Sequence, residues 1–541
     1  MDFNKKINFS NTWLRSLLVT VLFLIVQFFG IYMVNKFEYT RGGIGNSLLD
    51  FIKLEFWLIA FISFGFLLIL RRNIGSMILV FFTTIFFYVF VNEFYIAFKR
   101  LPKASEIQEI PELLSTFDIS ILILILLIVM VYLIWTFSQL KFNRFKLITC
   151  FLMFFSIFFI VKIKPIIYIQ IYERIDFTYE TWDSKKSARS SGYLNFLLYE
   201  NAKKNYALNQ LKEKNITVEA LPDPIIKKLQ KSNVHIIVLE SFYDPNMFEA
   251  LELSINPMFY KFQKFQQNVS TSPVYGGGTA QAEFEVLTGA PALNKYDNIE
   301  FNLFTGSEIR NSLPSKLNRL GYLTIATNAL TPDVFNSYKA YQSLGFKNQF
   351  YLSGETYLKK KEQDRFIKDS DLLDQNIQFL KQTFKENPDK PVFNYVLGMY
   401  GHSPNSLDTS INPILIDVMK DKQSITDDKF KRSINQIYYR TEALAKYIEE
   451  LAVIDPNSLI LIIGDHLPVI NKIEKYEYFE DDIYKTIFFL IQNNKSLAPK
   501  NNSYYHHDMS DLVLKKLFSE YPISKLSKLE KYEEVLYQAT Q

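Results

Sequence analysis

The sequence has little cysteine and no large excess of either charge, and both shortages exclude classes of protein. Its one cysteine, Cys150, lies inside an apolar run, so the chain offers neither a disulfide framework nor a cysteine-based metal site. The formal net charge is only +4 among 60 basic and 56 acidic side chains. The polar half carries no dense Lys/Arg block with interleaved aromatic residues, and we therefore expect no nucleic-acid partner.

Apolar residues are abundant instead, and they concentrate in the N-terminal half. Hydrophobic residues make up 48% of the chain, with 49 Phe and 33 Tyr. A helix needs about 20 residues to cross the ~30 Å hydrocarbon core of a bilayer. Apolar stretches near this length occur at about residues 14–34, 54–70, 74–96, 119–138 and 146–163, and the run 119–135 has no polar face at helical period. We therefore predict a five-helix transmembrane domain over residues 1–165.

Basic residues form tight clusters in the loops on one side of these predicted spans. They are Lys5, Lys6 and Arg15 before the first span, Arg71 and Arg72 after the second, and Lys141, Arg144 and Lys146 after the fourth. Such clusters remain on the cytoplasmic side, which places the N-terminus inside and, after five spans, the rest of the chain outside. Residues 166–230 are expected to form juxtamembrane and connector helices, with segment 162–172 either lying at the outer interface or acting as a plain linker.

The C-terminal half has the alternating pattern of an α/β domain. Short apolar, β-branched runs at 234–239, 322–326, 392–397, 459–463 and 486–491 alternate with amphipathic helical stretches. This alternation predicts a mainly parallel sheet with helices on both faces over residues 231–541. Glu240, His402 and the pair Asp465 and His466 each follow one of these runs. Ligands bind at the carboxyl ends of the strands in open α/β sheets, so we expect these side chains to converge there.

A glycine run precedes the candidate nucleophile. Gly276, Gly277 and Gly278 lead directly into Thr279, and the following AQAEFEVL contains good helix formers. Thr279 is therefore expected at a helix N-terminus, a position that favours an anion. The alternative interpretation is an ordinary N-cap threonine in a flexible loop.

Glu240, Thr279, Asp465 and His466 together offer three oxygen ligands and one nitrogen ligand. This set suits one divalent cation such as Mn²⁺, Mg²⁺ or Zn²⁺. A bound cation would lower the pKa of the Thr279 hydroxyl and polarise a phosphoryl oxygen, which activates a weak nucleophile without a general-base histidine. The residues thus predict a metal-dependent phosphotransferase.

Four segments carry a resemblance to a known family. They are VLESF (238–242), GGGTAQAEFEVLTG (276–289), YGHSPN (400–405) and GDHLPV (464–469). In this order behind five predicted spans, they resemble the lipoteichoic acid synthase and phosphoglycerol transferase family of the alkaline-phosphatase/sulfatase superfamily. The resemblance implies a multi-pass α-helical membrane domain followed by an extracytoplasmic α/β sulfatase-like domain, in a bacterial cytoplasmic membrane.

The resemblance also implies roles for the matching residues. Glu240, Thr279, Asp465 and His466 match the ligands of one metal ion, for which Mn²⁺ is expected and Mg²⁺ or Zn²⁺ are alternatives. Thr279 matches a threonine that forms a covalent phosphoglycerol intermediate, and His402 matches a histidine that contacts the substrate phosphate. The implied donor is phosphatidylglycerol, which leaves diacylglycerol, and the implied acceptor is an extracytoplasmic glycan, glycolipid or teichoic-acid-type hydroxyl.

The chain departs from the family around the substrate phosphate. Polymerising members carry a His, a Trp and an Arg there, and by spacing these fall on Asn328, Phe335 and Ser337, our predicted further substrate contacts. Loss of the Arg removes a bidentate phosphate contact, which Lys339 can replace only as a point charge. Two alternatives therefore stay open: a phosphoethanolamine transferase acting on lipid A or surface sugars, and a non-catalytic lipid-binding sensor of the same fold.

Other polar residues have simpler interpretations. We expect His235 in the core and His506 and His507 in a surface loop. Asp244 is close to Glu240 and either supports the metal ligands from behind or takes no part in the site. Glu283 either orients the Thr279 loop or stabilises the helix dipole.

Overall fold

The chain forms two compact units, Met1–Gln210 and Leu211–Gln541. The computed structural model describes residues 7–45, 54–70, 74–98, 101–102, 132, 134–140, 143–175, 179–180, 183–214, 216, 218–219, 232–248, 251–352, 366–403, 405–425, 427–468, 483–497, 503–518, 521–522 and 524–541. The division at residue 210 falls inside the predicted connector of residues 166–230. The domain boundaries at 165 and 230 stay predictions.

The first unit is helical in its described residues, because in an apolar segment the polar backbone groups satisfy their hydrogen bonds within a helix. The helices are α1 (Ile7–Thr40), α2 (Leu54–Ile69), α3 (Ile74–Phe98), α4 (Arg144–Phe158), α5 (Pro165–Arg174), α6 (Ser184–Ser191) and α7 (Tyr193–Lys212). A π-helical turn, Phe159–Ile163, continues α4.

Three of these helices are long and apolar enough to cross a membrane. The segments are Leu18–Thr40, Ile74–Ile96 and Arg144–Ile163, with mean hydropathies of 2.1, 2.3 and 2.2. They confirm three of the five predicted spans in length and composition. The stretch predicted at 54–70 forms α2, whose 16 residues extend about 24 Å. The span predicted at 119–138 lies largely outside the described residues.

A buried carboxylate joins α2 to the start of α7. Glu55 is fully buried, and it accepts hydrogen bonds from the backbone N–H groups of Leu194 (3.0 Å) and Asn195 (2.7 Å). The first amides of a helix lack partners within it, so Glu55 caps α7 from another helix. The rings of Tyr172 and Tyr199 stack 3.9 Å apart and pack α5 against α7.

In its described residues, the second unit is built on a mixed, nine-stranded sheet. Its strands are β1 (Val234–Leu239), β3 (Asn268–Thr271), β4 (Leu323–Asn328), β5 (Asn348–Tyr351), β6 (Val392–Gly398), β9 (Leu459–Gly464), β10 (Lys485–Gln492), β11 (Lys495–Ser496) and β12 (Tyr504–Tyr505). The strand order is β12-β3-β10-β9-β1-β6-β4-β5, and β11 pairs with β10. A smaller antiparallel sheet contains β2 (Glu252–Leu253), β7 (Val418–Lys420) and β8 (Gln423–Ser424).

The predicted parallel arrangement holds for one side of the large sheet and fails on the other. Strands β9, β1, β6, β4 and β5 run parallel, whereas β10 is antiparallel to both β9 and β3. β1, β6 and β9 are buried along their whole length, which explains their largely apolar sequences. An apolar run carries no information on strand direction, so the reversal of β10 was not visible in the sequence.

The described helices of this unit connect the strands and complete the core. They are α8 (Thr279–Thr288), α9 (Leu313–Arg319), α10 (Ser337–Leu344), α11 (Asp369–Glu386), α12 (Asp428–Ile454), α13 (Met509–Leu517) and α14 (Lys528–Ala539). Asp427 accepts a hydrogen bond from the N–H of Phe430 and thereby caps α12.

Candidate active site

Three buried parallel strands end at the same level of the sheet. Leu239, the last residue of β1, pairs with Gly398 at the end of β6 and with Gly464 at the end of β9. Glu240 follows β1 directly, and Asp465 follows β9 directly. Because β1 and β9 are adjacent, these two carboxylates lie side by side at the carboxyl edge of the sheet, as the sequence predicted.

His402 reaches this edge through a close approach of two backbones. A Cβ on Gly401 would lie 2.3 Å from the backbone oxygen of Glu240 and 2.4 Å from Nη1 of Arg440. Atoms that are not bonded to each other do not approach so closely, so only glycine allows the turn after β6 to pass beside Glu240. Gly401 thereby holds the next residue, His402, near Glu240.

Thr279 is the first residue of α8, and the glycine run shapes the start of this helix. Gly276, Gly277 and Gly278 have φ angles of +69°, +152° and +84°, which glycine adopts without steric strain. The N-cap residue is Gly278, which has no side chain. The structure therefore places Thr279 at a helix N-terminus but not as its N-cap, and its hydroxyl is free to contact other groups.

The four predicted metal-site residues are neighbours, and all four are buried. Thr279 Oγ1 donates a hydrogen bond to Glu240 Oε2 over 2.8 Å. His466 Nε2 lies 3.5 Å from Glu240 Oε1 and 3.3 Å from Asp465 Oδ2. Ligand atoms of the two carboxylates and the imidazole all lie within 4.8 Å of one another. The structure thus brings the predicted set together, while the role of each member stays a prediction.

Two atoms of this cluster support a metal site. Asp465 Oδ2 and His466 Nε2 are buried and have no hydrogen-bond partner among the described residues. His466 Nδ1 lies 3.0 Å from the backbone oxygen of Leu467, to which it can donate, and this leaves Nε2 with a free lone pair. Carboxylate oxygens and an imidazole nitrogen directed at one point suit a divalent cation. The residues present therefore fit the metal that the resemblance implies.

The electrostatics of the cluster also favour a cation. Burial, together with repulsion from Glu240, raises the pKa of Asp465 to about 7. Burial opposes ionisation of Glu240 too, but the imidazoles of His466 and His402 bring its pKa below the ordinary value. Burial likewise opposes charge on His466, and attraction to the two carboxylates outweighs it and raises the pKa. Two buried carboxylates repel each other, so added positive charge stabilises both.

A cavity of about 530 Å³ adjoins the cluster, and its wall includes Glu240, Gly276 and His402. This volume accommodates a phosphate with a small head group. His402 Nδ1 lies 2.7 Å from the backbone oxygen of Ser403, and the imidazole ring packs on Phe366 at 4.9 Å. His402 is therefore held at the cavity wall, where the sequence predicted a substrate contact.

The other three predicted substrate contacts do not line this cavity in the described part of the chain. Asn328 is buried at the end of β4, donates to the hydroxyl of Tyr341 and accepts from the N–H of Leu330. Ser337 begins α10, and its hydroxyl lies 3.3 Å from the backbone oxygen of Pro332. Phe335 is partly exposed and has a φ of +55°. Their contact with substrate stays a prediction.

Ser241 is a site residue that the sequence analysis missed. Its N–H donates to Asp465 Oδ1 over 2.7 Å, its Oγ donates to Glu240 Oε1 over 2.8 Å, and its φ is +48°. Ser272 adds a hydrogen bond from its Oγ to the backbone oxygen of Asp465 over 2.6 Å. Ser241 therefore orients the two predicted carboxylate ligands, and Ser272 fixes the backbone at Asp465. The sequence signal was weak, because serine is common after a strand and a positive φ leaves no trace in it.

Glu283 connects the active-site helix α8 to neighbouring elements of the fold. It is buried one turn after Thr279, and its Oε1 accepts hydrogen bonds from the hydroxyls of Tyr341 (2.6 Å) and Tyr395 (2.7 Å). Burial raises the pKa of this carboxyl to about 7. Of the two interpretations that the sequence left open, these contacts favour the first, because Glu283 anchors α8 to β6 and α10.

The histidines outside the cluster have structural contacts. His235 is buried and lies 2.9 Å from Asp455, which confirms the core interpretation. The surface-loop interpretation is wrong for His506, which is fully buried with Nε2 3.0 Å from the backbone oxygen of Gly464. His507 is largely buried and pairs with Glu285 at 3.2 Å. Burial lowers the pKa of His506, so the imidazole is neutral where it packs against the end of β9.

Asp244 does not contact the cluster in the described residues. Its carboxylate accepts a hydrogen bond from the N–H of Asn246 over 3.0 Å and caps the short 3-10 helix Pro245–Met247.

Comparison with known proteins places this site in a family. A family model described as Sulfatase matches residues 232–513, which is just over half of the chain and includes the strands and the cluster described above. The chain belongs to the sulfatase family. This membership confirms the predicted superfamily and the expectation of an enzyme, and members of this superfamily are metal-dependent.

Individual relatives are distant. The chain is 24% identical over 306 residues to a Rhizobium meliloti (strain 1021) protein named for cyclic beta-1,2-glucan modification, covering 54% of this chain and 45% of that protein. It therefore spans less than half of that relative's length. Among solved structures, the chain is similar to the lipoteichoic acid synthase LtaP from Listeria monocytogenes (18% identity, 61% of this chain and 81% of the other, TM-score 0.45). It is also similar to the Streptococcus pyogenes phosphoglycerol transferase GacH in complex with sn-glycerol-1-phosphate (18% identity, 62% of this chain and 92% of the other, TM-score 0.44).

Proposed function

We propose that this sulfatase-family protein is a membrane phosphoglycerol transferase. It moves glycerol phosphate from phosphatidylglycerol to the hydroxyl of an extracytoplasmic glycan, glycolipid or teichoic-acid-type acceptor. The observation that carries the proposal is the 2.8 Å hydrogen bond from Thr279 Oγ1 to Glu240, beside the buried Asp465 and His466. A hydroxyl in this position serves as a nucleophile, and a shared fold alone would not distinguish one substrate from another.

The reaction has two displacement steps at phosphorus. In the first, Thr279 Oγ forms a bond to phosphorus and gives its proton to Glu240 Oε2, the bond to the diacylglycerol oxygen breaks, and that oxygen takes a proton from His402. In the second, the acceptor oxygen bonds to phosphorus and gives its proton to His402, and Thr279 Oγ leaves and regains its proton from Glu240. Each group returns to its initial protonation state, and the scheme predicts ping-pong kinetics.

The metal fits the same residues. Glu240, Asp465 and His466 would hold it, with Thr279 as the oxygen ligand that carries the chemistry. A divalent cation there supplies positive charge that favours the deprotonated Thr279 and offsets the charge that develops on the phosphoryl oxygens. Ser241 keeps the two carboxylates oriented through its hydrogen bonds, and Ser272 holds the backbone of Asp465. We propose Mn²⁺ as the ion, with Mg²⁺ and Zn²⁺ to be compared directly.

The helical unit supports a lipid donor. Three helices long enough to span a bilayer anchor the chain in a membrane, where phosphatidylglycerol is available. The clusters of Lys and Arg in the loops favour an N-terminus in the cytoplasm and a catalytic unit outside. We therefore propose the outer face of a bacterial cytoplasmic membrane as the location of the reaction.

The test uses full-length protein in detergent micelles with labelled phosphatidylglycerol and Mn²⁺. The protein should release diacylglycerol, and Thr279→Ala should abolish release. Thr383→Ala makes the same chemical change in α11, outside the cavity, and should retain the activity. Release that survives Thr279→Ala would overturn the proposal.

The mass of the covalent adduct on Thr279 identifies the head group that is transferred. Mass spectrometry of the peptide that contains Thr279, taken after a rapid acid quench, should show an added phosphoglycerol. An added phosphoethanolamine from a phosphatidylethanolamine donor would select the phosphoethanolamine transferase instead. Wild-type protein that binds metal but forms no adduct with either lipid would select the non-catalytic sensor.

A further inference from the structure

The cavity beside the cluster has a second wall that the proposed reaction does not use. This wall belongs to the start of α12, from its N-cap to its fifth residue, and to the loop after β6, and it contains Asp427, Asp428, Lys429, Arg432 and Asn405. Two cations therefore share one cavity of about 530 Å³ with Glu240 and His402.

The two carboxylates of this wall are explained by the helix. Asp427 is the N-cap of α12 and accepts the N–H of Phe430 over 2.9 Å. Asp428 is the first residue of the helix, where a negative charge interacts favourably with the helix dipole. Both acids would be expected at the start of a helix with no ligand nearby.

The two cations are not explained in this way. Lys429 lies in the first turn of α12, where a basic residue interacts unfavourably with the helix dipole. Arg432 is the fifth residue of the helix, beyond the positions that cap its start. Lys429 and Arg432 have no ion-pair partner in the part of the chain that the structure describes, and the Nη groups of Arg432 donate no hydrogen bond to a protein acceptor there. Charged groups that line a concave site without protein partners are available to a ligand of opposite charge.

Arg432 is also held in place. Its Nε donates to the backbone oxygen of Asn405 over 3.1 Å. Asn405 is buried with a φ of +56°, its N–H donates to the backbone oxygen of His402, and its side chain donates to the backbone oxygen of Gly401. One edge of the guanidinium is thus fixed to the loop that carries His402, and its Nη groups remain for a planar, bidentate contact.

We propose that Arg432, assisted by Lys429, binds the phosphate of the substrate in this cavity. The ligand class is a phosphate ester with a small polar head group. Arg432 acts as a substrate-binding residue that cooperates with His402, to which Asn405 connects it. This inference rests on the proposed function for the identity of the substrate, but its binding test does not require turnover.

The test measures binding of glycerol phosphate to the full-length protein by calorimetry in the presence of Mn²⁺, with glycerol as the uncharged comparison. Arg432→Gln should weaken glycerol phosphate binding on the order of tenfold to a hundredfold, as expected for loss of a charge-assisted contact. Lys429→Gln should weaken it by several-fold, since an exposed lysine acts as a point charge. Glycerol should bind no more tightly to the wild type than to either variant.

Two further variants separate binding from folding and from general electrostatics. Lys431→Gln removes the same charge on the same turn, but Lys431 contacts Ser424 and does not line the cavity, so affinity should stay unchanged. Arg432→Lys keeps the charge and loses the contact to Asn405, so its affinity should lie between those of the wild type and Arg432→Gln. Unfolding temperatures identify any variant that is merely misfolded. Lys429 is exposed and has no ion-pair partner among the residues that the structure describes, so its replacement supplies a test free of that effect.

The outcomes distinguish this inference from the proposed function. The inference about Arg432 is overturned if Arg432→Gln binds glycerol phosphate as tightly as the wild type does. It is also overturned if Lys431→Gln weakens binding as much as Arg432→Gln does, or if the wild type does not bind glycerol phosphate. With phosphatidylglycerol as substrate, Arg432→Gln should raise KM far more than it lowers kcat. If diacylglycerol release depends on Thr279 but not on Arg432, only this inference fails. If glycerol phosphate binds through Arg432 while no lipid is cleaved, only the proposed function fails.

Discussion

Thr279 Oγ1 donates a hydrogen bond to Glu240 Oε2 over 2.8 Å, although 39 residues separate them in the chain. The hydroxyl begins a buried helix and the carboxylate ends a buried strand, so neither side chain can move far. The nucleophile and the group that accepts its proton are therefore positioned before substrate binds. Such preorganisation lowers the barrier because the geometry is set during folding and not during reaction.

Replacement of the Thr279 hydroxyl should separate chemistry from packing. Thr279→Val preserves the shape of the side chain and removes the nucleophile, so diacylglycerol release should fall to background with a small change in unfolding temperature. Thr279→Ser retains the hydroxyl and should keep measurable activity, within roughly a hundredfold of wild type, because the lost methyl loosens its orientation. Initial rates and thermal unfolding of both variants provide the check; an inactive Ser variant with native stability would argue against Thr279 as nucleophile.

Asp465→Asn should remove the metal. The change keeps the size of a fully buried side chain and eliminates one of two carboxylates in the cluster, so the attraction to a divalent cation drops sharply. Elemental analysis after gel filtration should find one metal ion per wild-type chain and well below one in the variant. Asp374→Asn, which alters a half-exposed carboxylate paired with Lys446, is the matched control and should retain the ion. Full metal content in Asp465→Asn would contradict the cluster as the binding site.

Gly401→Ala should damage activity more than its single methyl suggests. The added Cβ would lie 2.3 Å from the backbone oxygen of Glu240, and backbone cannot move aside without displacing the carboxylate or the His402 loop. We expect a loss of activity of at least tenfold. Gly398→Ala, at the end of β6, would meet side-chain atoms of Leu239 and Asp369 first, which can shift, so it should be the milder change. Equal rates for the two variants would show that the close approach is unimportant.

Glu283→Gln should change how stability depends on pH. The folded-state pKa of about 7 lies above the ordinary 4.5, so the protonated carboxyl contributes fully below pH 4.5. As pH rises from 4.5 to about 7, the unfolded chain loses this proton before the folded protein does, and up to about 3 kcal/mol of stability is lost. Gln can accept the same two tyrosine hydrogen bonds through its oxygen without ever ionising.

Thermal unfolding of wild type and Glu283→Gln at pH 5 and pH 8 tests this expectation. The two proteins should be similar at pH 5, and the variant should be the more stable at pH 8. Because both proteins contain the same other groups that titrate in this range, the difference between their unfolding temperatures removes the effect of those groups. A variant that is less stable at pH 8 would mean that the ionised carboxylate is favoured inside the fold.

Much of the site could be predicted because its chemistry follows local rules. Glu240 and Asp465 each stand directly after an apolar run, and parallel strands present their carboxyl ends at one edge. The glycines before Thr279 indicated a tight turn into a helix, which the φ angles of the structure bear out. Residue type and position along one element were sufficient for these inferences.

Contacts between distant segments could not be predicted in this way. Ser241 binds Asp465 through its backbone N–H, a group that every residue except proline has and that no sequence distinguishes. His506 lies in a polar stretch, and only the pairing of β12 with β3 buries it under Gly464. Arg432 follows an acidic helix start that looks like an ordinary solvated turn.

The sequence by itself determined three of the membrane-length helices, the central buried strands and the residue types of the metal cluster, because hydrophobic period and strand ends are local properties of the chain. Only the tertiary structure decided the antiparallel direction of β10, the burial of His506 and the meeting of Arg432 with His402 across one cavity. Each of these depends on which segments pack together, and the free energy that selects such packing is spread over many side chains far apart in the chain.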